Sequence, residues 1–210
     1  MCNLYRMTRN ASEVAAWFKV VDAALGANFA EEVYPGYPGL VVAEGAVRPM
    51  TWGFPLAMTG AKGQALKPKP VNNARTDKLA TPFWRSAFER RRCLIPLTAW
   101  AEAEGPKGRM TRTWMSLPDA PLFAVAGLWR PTAEWGAAYA MVMTDTAGCE
   151  AEAVHSRMPV VLTPDVQARW LDGSPQEAFD LCRAWQGPLV IDRTPEPWAK
   201  GAATPQQSLF

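Results

Sequence analysis

Between residues 93 and 146 the chain is almost continuous strand signal. Four apolar runs, CLIPLTAWAEAE, TRTWMSL, LFAVAGLWR and AAYAMVMTDT, follow one another with only short Gly-, Pro-, Asp- and Thr-containing turns between them. Short turns join antiparallel neighbours, whereas parallel strands need long crossovers. The runs do not alternate with helical segments, so a doubly wound parallel sheet is excluded. The expectation is an α+β fold, a mostly antiparallel sandwich- or barrel-like sheet with flanking helices.

The helical segments lie to either side. TRNASEVAAWFKVVDAAL reads as a first helix, with Thr8, Asn10 and Ser12 as candidate caps and Val14, Trp17, Phe18 and Val21 on one face. LVVA and MTWGF read as a strand pair around a turn at Glu44–Gly45, and residues 55–72, rich in Gly, Lys and Pro, as a loop. TPFWRSAFERRR reads as a helix with Pro82 in its first turn. After a link, AGCEAEAVH, and a short strand, MPVVLTP, come two more capped helices, TPDVQARWLDG and SPQEAFDLCRAW. From about residue 194 the tail reads as irregular. At 210 residues the chain is expected to form a single domain over residues 1–210.

Composition excludes several classes. Hydrophobic residues make up 49%, enough for a sizeable core, yet no apolar run approaches the ~18 residues of a membrane span. No secretory signal is evident, so a cytoplasmic protein that does not meet the membrane is expected. The four cysteines, Cys2, Cys93, Cys149 and Cys182, match no zinc spacing. Free thiols are therefore expected, with no metal and no cofactor, and Cys93 reads as core. Net charge is only +2, but Arg85, Arg90, Arg91 and Arg92, and Lys62, Lys67 and Lys69, are clustered. Solvated surface and a phosphate-tracking surface explain these clusters equally well. Most of the ten tryptophans should be core, with a few as platforms for bases.

Four features could carry chemistry. Cys2 follows Met1, and removal of Met1 would leave an α-amine and a thiol on neighbouring carbons. VNNARTD packs Asn72, Asn73, Arg75 and Asp77 into one polar stretch. Strand alternation puts Trp100 and Glu102 on one face and Ala101 and Ala103 on the other. A carboxylate turned into a pocket there would have a raised pKa and could act on an amine. His155 is the chain's single histidine and stands directly before an apolar strand. Cysteine, histidine and carboxylate together admit a thiol hydrolase. A terminal 1,2-aminothiol admits something further, namely thiazolidine formation with an aldehyde.

MCNLY, NAR at 73–75, the carboxylate in WAEAEG and HSRMPVVL occur in an order and spacing that resemble the SRAP family, the SOS-response-associated peptidase or abasic-site-processing proteins. TWGF and FAVAGLW extend the resemblance, which runs from Cys2 to about Trp170. It implies covalent capture of abasic sites in single-stranded DNA, with AP-lyase behaviour and autoproteolytic removal of Met1. It implies Cys2 as nucleophile, Asn73 as hydrogen-bond partner of the sugar-derived adduct and Glu102 as the group that orients and activates the amine. His155 is then the acid/base that opens the deoxyribose. Arg75 and Arg157 are implied as DNA-backbone ligands and Trp52 as a base-stacking surface. The expected partner is single-stranded DNA containing abasic sites, met at the nucleoid by a monomer. Asn3 and Leu4 stand where many members have Gly-Arg, a departure that touches DNA register rather than chemistry. The rival readings are an N-terminal-nucleophile glutaminase and a non-covalent single-strand sensor.

Overall fold

The computed structural model describes residues 2–27 and 29–198. The chain opens with β1 (Leu4–Arg6), α1 (Ala11–Phe18), β2 (Val21–Asp22), β3 (Glu32–Val33), β4 (Pro38–Ala43) and β5 (Ala46–Trp52). It continues through β6 (Phe54–Thr59), β7 (Ala65–Val71), β8 (Asn73–Arg75), α2 (Pro82–Arg90), β9 (Arg92–Leu97) and β10 (Ala99–Glu104). Then come β11 (Thr111–Ser116), β12 (Phe123–Thr132), β13 (Gly136–Asp145), β14 (Arg157–Pro159) and β15 (Val161–Leu162). Two short helices, α3 (Pro164–Asp172) and α4 (Pro175–Asp180), and strand β16 (Val190–Pro197) complete it.

The larger sheet closes on itself. Strands β13, β12, β9, β4 and β5 are hydrogen-bonded in that order, and β5 returns to β13 through a parallel pairing of Thr51 with Ala138 and Trp52 with Tyr139. The result is a five-stranded barrel with β2, β8, β14 and β15 added at its rims. Four of the five contacts around the ring are antiparallel, as expected, and only the closing one is parallel. The β4–β5 hairpin turns at Glu44 and Gly45, both at positive φ (51° and 72°), the pair of left-handed residues that a two-residue hairpin turn requires.

A second sheet, in the order β16-β11-β10-β1-β3, packs one face on the barrel. Tyr5, Trp100 and Met115 point into the main core, while Leu4, Ala101 and Trp114 form a small apolar cluster on the other face. The Arg6 guanidinium covers that outer cluster, 3.7 Å above the Trp114 ring.

Several expectations are corrected. The first helix is shorter than its apolar pattern. Asn10 caps it in a reciprocal box with Glu13, and it stops at Phe18. Val21 lies in a strand and, like Trp17, faces solvent, so these two do not share the buried face of Val14. Residues 55–71 are not a loop but the two strands of the β6–β7 hairpin, which pair only with each other. Gly53 makes the bend that sends this hairpin off the barrel. It sits at φ 124°, and a Cβ there would come within 2.6 Å of Pro70 Cβ. CLIPLTAWAEAE is two strands, since the backbone breaks at Thr98 and passes from the barrel to the second sheet. Residues 194–197 belong to β16, and the tail beyond 198 lies outside the described residues.

Arg92, expected in a surface cluster, is buried. Its guanidinium donates to Phe88 O (2.8 Å), Glu89 O (3.4 Å) and Leu171 O (3.3 Å), and also to the carbonyls of Trp170 and Gly173. One cation thus satisfies the orphan carbonyls at the ends of both α2 and α3.

Candidate functional site

The site forms where the second sheet meets the barrel. Strand β1 lies between β10 and β3, with Leu4 opposite Ala101. That register brings Cys2 beside the middle of β10. The Cys2 side chain is fully buried, and its thiol donates to Leu4 O at 3.5 Å. Burial pushes this thiol far above its ordinary value, and the Glu102 carboxylate pushes it further. The sulfur is therefore held as a neutral thiol, not a thiolate.

Glu102 shares the face of Trp100, as strand parity requires, and that face looks toward the barrel. Only 1% of it is exposed. Burial raises its carboxyl from 4.5 to about 7. A carboxyl so placed exchanges a proton near neutral pH, as a general base for an amine must.

Two amides close the other side. Asn72 links β7 to β8 and Asn73 opens β8, and each donates Nδ2–H to the Cys2 carbonyl, at 2.9 and 2.8 Å. Both are buried. Strand β8, which begins at Asn73, runs parallel to β13 with Asn73 opposite Met141, so the amide is carried by the barrel while Cys2 is carried by the second sheet. Asn73 Oδ1 is buried without a hydrogen-bond partner among the described residues.

His155 stands before β14, which shares β13 with β8. Its Nδ1 lies 3.0 Å from the Arg157 nitrogen and 3.2 Å from the Arg157 carbonyl, so the Arg157 backbone fixes the ring's orientation. Burial, with the Arg157 charge adding to it, lowers the imidazole below 6.5. Arg157 Nε is 3.2 Å from Asp145, and Arg75 grips Asp77 with two bonds of 2.8 and 2.6 Å. Asp145 pairs with Arg157 across β13–β14, and Met143 with Arg75 across β13–β8, so the two guanidinium groups flank one strand. Arg75 lowers the Asp77 carboxyl, with smaller contributions from Lys78 and Arg157.

Cys2, Asn73 and Glu102 are thus drawn into one cluster, with His155, Arg75 and Arg157 along the adjoining barrel rim. Trp52 does not belong to it. The ring is completely buried, edge-on to Tyr5 at 5.0 Å and stacked on Tyr139 at 6.4 Å, and offers no face to a base. The pairing of Trp52 with Tyr139 that closes the barrel holds it inside. Asn72, assigned no role from the sequence, contacts the site as closely as Asn73 does; the NN doublet was its only signal. Among the described residues no group of three or more His, Cys, Asp or Glu could hold a metal ion, and no helix is long and apolar enough to cross a membrane.

A closed barrel with a second sheet that delivers a buried cysteine to a carboxyl and paired amides defines an α+β protein with a thiol–carboxyl centre between its sheets. The model of the SOS response associated peptidase (SRAP) family matches residues 1–192, and the chain belongs to that family. It is 32% identical over 129 residues to the abasic site processing proteins YoqW and YobE of Bacillus subtilis (strain 168). Those matches take in 59% of this chain and span 56% and 57% of the two relatives. The fold is shared with a crystal structure from Bordetella bronchiseptica (TM-score 0.76, 20% identity, 92% of this chain and 99% of that one). A structure from Bacteroides thetaiotaomicron is also similar (TM-score 0.74, 19% identity, 91% of each chain).

Proposed function

We propose that this protein processes abasic sites in DNA, and that it does so by bonding covalently through Cys2 to the sugar aldehyde of an abasic site in single-stranded DNA. The observation that carries the reading is the setting of Cys2. Its carbonyl is bonded by Asn72 and Asn73, its thiol is neutral, and the neighbouring Glu102 titrates at about 7. The relatives' names, which speak of abasic site processing, support the substrate.

The order of bond formation follows from the protonation states. A neutral thiol is a poor first nucleophile, whereas an α-amine with a pKa of ~7.7–8.0 is partly unprotonated near neutrality. With Met1 hydrolysed from Cys2 by the same centre, Glu102 takes a proton from the freed ammonium. His155 relays a proton from the anomeric hydroxyl to the deoxyribose ring oxygen, and the sugar opens to its aldehyde with no net change in protons. The amine adds to the aldehyde carbon and water leaves, giving a Schiff base. The thiol then adds across the C=N bond: carbon–sulfur forms and its proton passes to nitrogen, closing a thiazolidine. Aldehyde and aminothiol become thiazolidine and one water, with no change in oxidation state. From the open Schiff base, β-elimination of the 3′-phosphate gives the lyase outcome. Asn73 Oδ1 accepts from a hydroxyl of the adduct, while Arg75 and Arg157 meet flanking phosphates.

The test is denaturing electrophoresis of a single-stranded oligonucleotide carrying one abasic site, with intact mass confirming Met1 loss. Wild type is expected to give a slow-migrating species and Cys2→Ala none. A wild type without that species, or an adduct that survives Cys2→Ala, refutes the reading. Ammonia release from glutamine without an adduct would establish the hydrolase instead.

A further inference from the structure

Asn72 and Asn73 are consecutive, and in a regular strand consecutive side chains point to opposite faces. Here both amides reach one carbonyl, at the point where the chain changes partner from β6 to β13. β7 ends at Val71, β8 begins at Asn73, and the Asn72 carbonyl accepts from Met141 N at 2.9 Å. The two amides are not equivalent. A carboxamide has two N–H donors. Those of Asn72 are placed on Cys2 O at 2.9 Å and on the Asn3 side-chain oxygen at 3.2 Å. Asn73 reaches the same Asn3 oxygen only at 3.5 Å, and its own buried Oδ1 has no partner among the described residues. The donors of Asn72 are committed to the N-terminal segment, and Asn73 keeps a buried open acceptor.

We propose that Asn72 is a positioning residue that holds Cys2 during the reaction, with the Asn3 side chain as its second anchor. The inference rests on the reading that Cys2 reacts. Fixing the Cys2 carbonyl stops rotation about its Cα–C bond, so the amine on the same Cα cannot swing away from Glu102. Asn73 can then turn its amide to an adduct without releasing Cys2. Asn3 thereby gains a role, because its side chain locks Asn72 in place.

The experiment uses full-length protein whose loss of Met1 is confirmed by mass. Single-turnover crosslinking to abasic single-stranded DNA is compared with binding to the same oligonucleotide carrying tetrahydrofuran, which lacks an aldehyde. Asn72→Leu is expected to slow crosslinking at saturating DNA on the order of tenfold, the value of one or two amide hydrogen bonds. Its affinity for the tetrahydrofuran oligonucleotide should stay within about twofold of wild type, a split that a general loss of structure would not give. Asn3→Ala, at an exposed position, should slow the reaction about threefold, and the double variant should react no more slowly than Asn72→Leu, because the two share a bond. If Asn72→Leu does not fold, the rate of Asn3→Ala decides alone. Unchanged rates, or rate and tetrahydrofuran affinity falling together, overturn the inference and leave the crosslinking reading standing. A wild type that forms no adduct overturns both.

Discussion

Glu102 predicts a fold that is weakened by its own buried carboxyl. The carboxyl titrates at 4.5 when unburied and at about 7 in the folded chain. Folded protein therefore binds this proton more tightly than unfolded protein does. Between those two values the native state carries more protons, so stability falls as pH rises and levels off above 7. Each tenfold difference in proton affinity is worth ~1.36 kcal/mol, which makes the total about 3 kcal/mol. The perturbation is Glu102→Gln, which keeps the shape and removes the titration. Urea unfolding of wild type and variant at pH 5 and pH 8 should show the variant gaining about 2.5 kcal/mol on wild type between the two, since part of the loss has already occurred by pH 5, or roughly 5–10 °C in melting temperature for a chain of this size. Crosslinking should be lost in the same variant, and in wild type its rate should rise with pH through about 7 as the base ionises. A stability difference between the two proteins that is the same at both pH values would refute the reasoning, since the buried carboxyl would then carry no excess proton.

Arg92→Met should cost about 3 kcal/mol in urea unfolding, because it leaves the terminal carbonyls of two helices without donors while filling similar space. Gly53→Ala, at φ 124° and against Pro70, should cost about 2 kcal/mol or more, read in the same way, and displace the β6–β7 hairpin. Arg75→Ala and Arg157→Ala should each flatten the salt dependence of single-strand binding by about 0.7 in the slope of log K against log salt, measured by fluorescence anisotropy.

The antiparallel core was legible because its strands follow one another with short turns, and local alternation correctly set Glu102 on the face of Trp100. The break at Thr98 was not legible. Both halves of CLIPLTAWAEAE are apolar, and nothing local says that one belongs to the barrel and the other to a second sheet. The β6–β7 hairpin was missed for the opposite reason. Beyond the buried Phe54 it packs on little but itself, so its strands bury no continuous face, and its prolines and lysines read as loop. Trp52 was given to the bases by the family resemblance, and nothing local in the sequence says that its ring is held inside where the barrel closes. The gathering of Cys2, Asn73 and Glu102 depends on long-range register, Leu4 against Ala101 and Asn73 against Met141, which no spacing in the chain encodes. Family resemblance suggested the set, and the fold supplies its reason.

The central place of β1 in its sheet also has a consequence in time. Leu4 finds its partner Ala101 only 97 residues later (101 − 4). At ribosomal rates of ~5–20 residues per second, that partner is made roughly 5–20 s after the N-terminus. Until then the sheet cannot be completed and the start of the chain is open to any processing enzyme waiting at the ribosome. Once β10 docks, Cys2 is sealed from solvent. Any trimming ahead of Cys2 by outside enzymes is therefore expected in the early interval, before β10 docks.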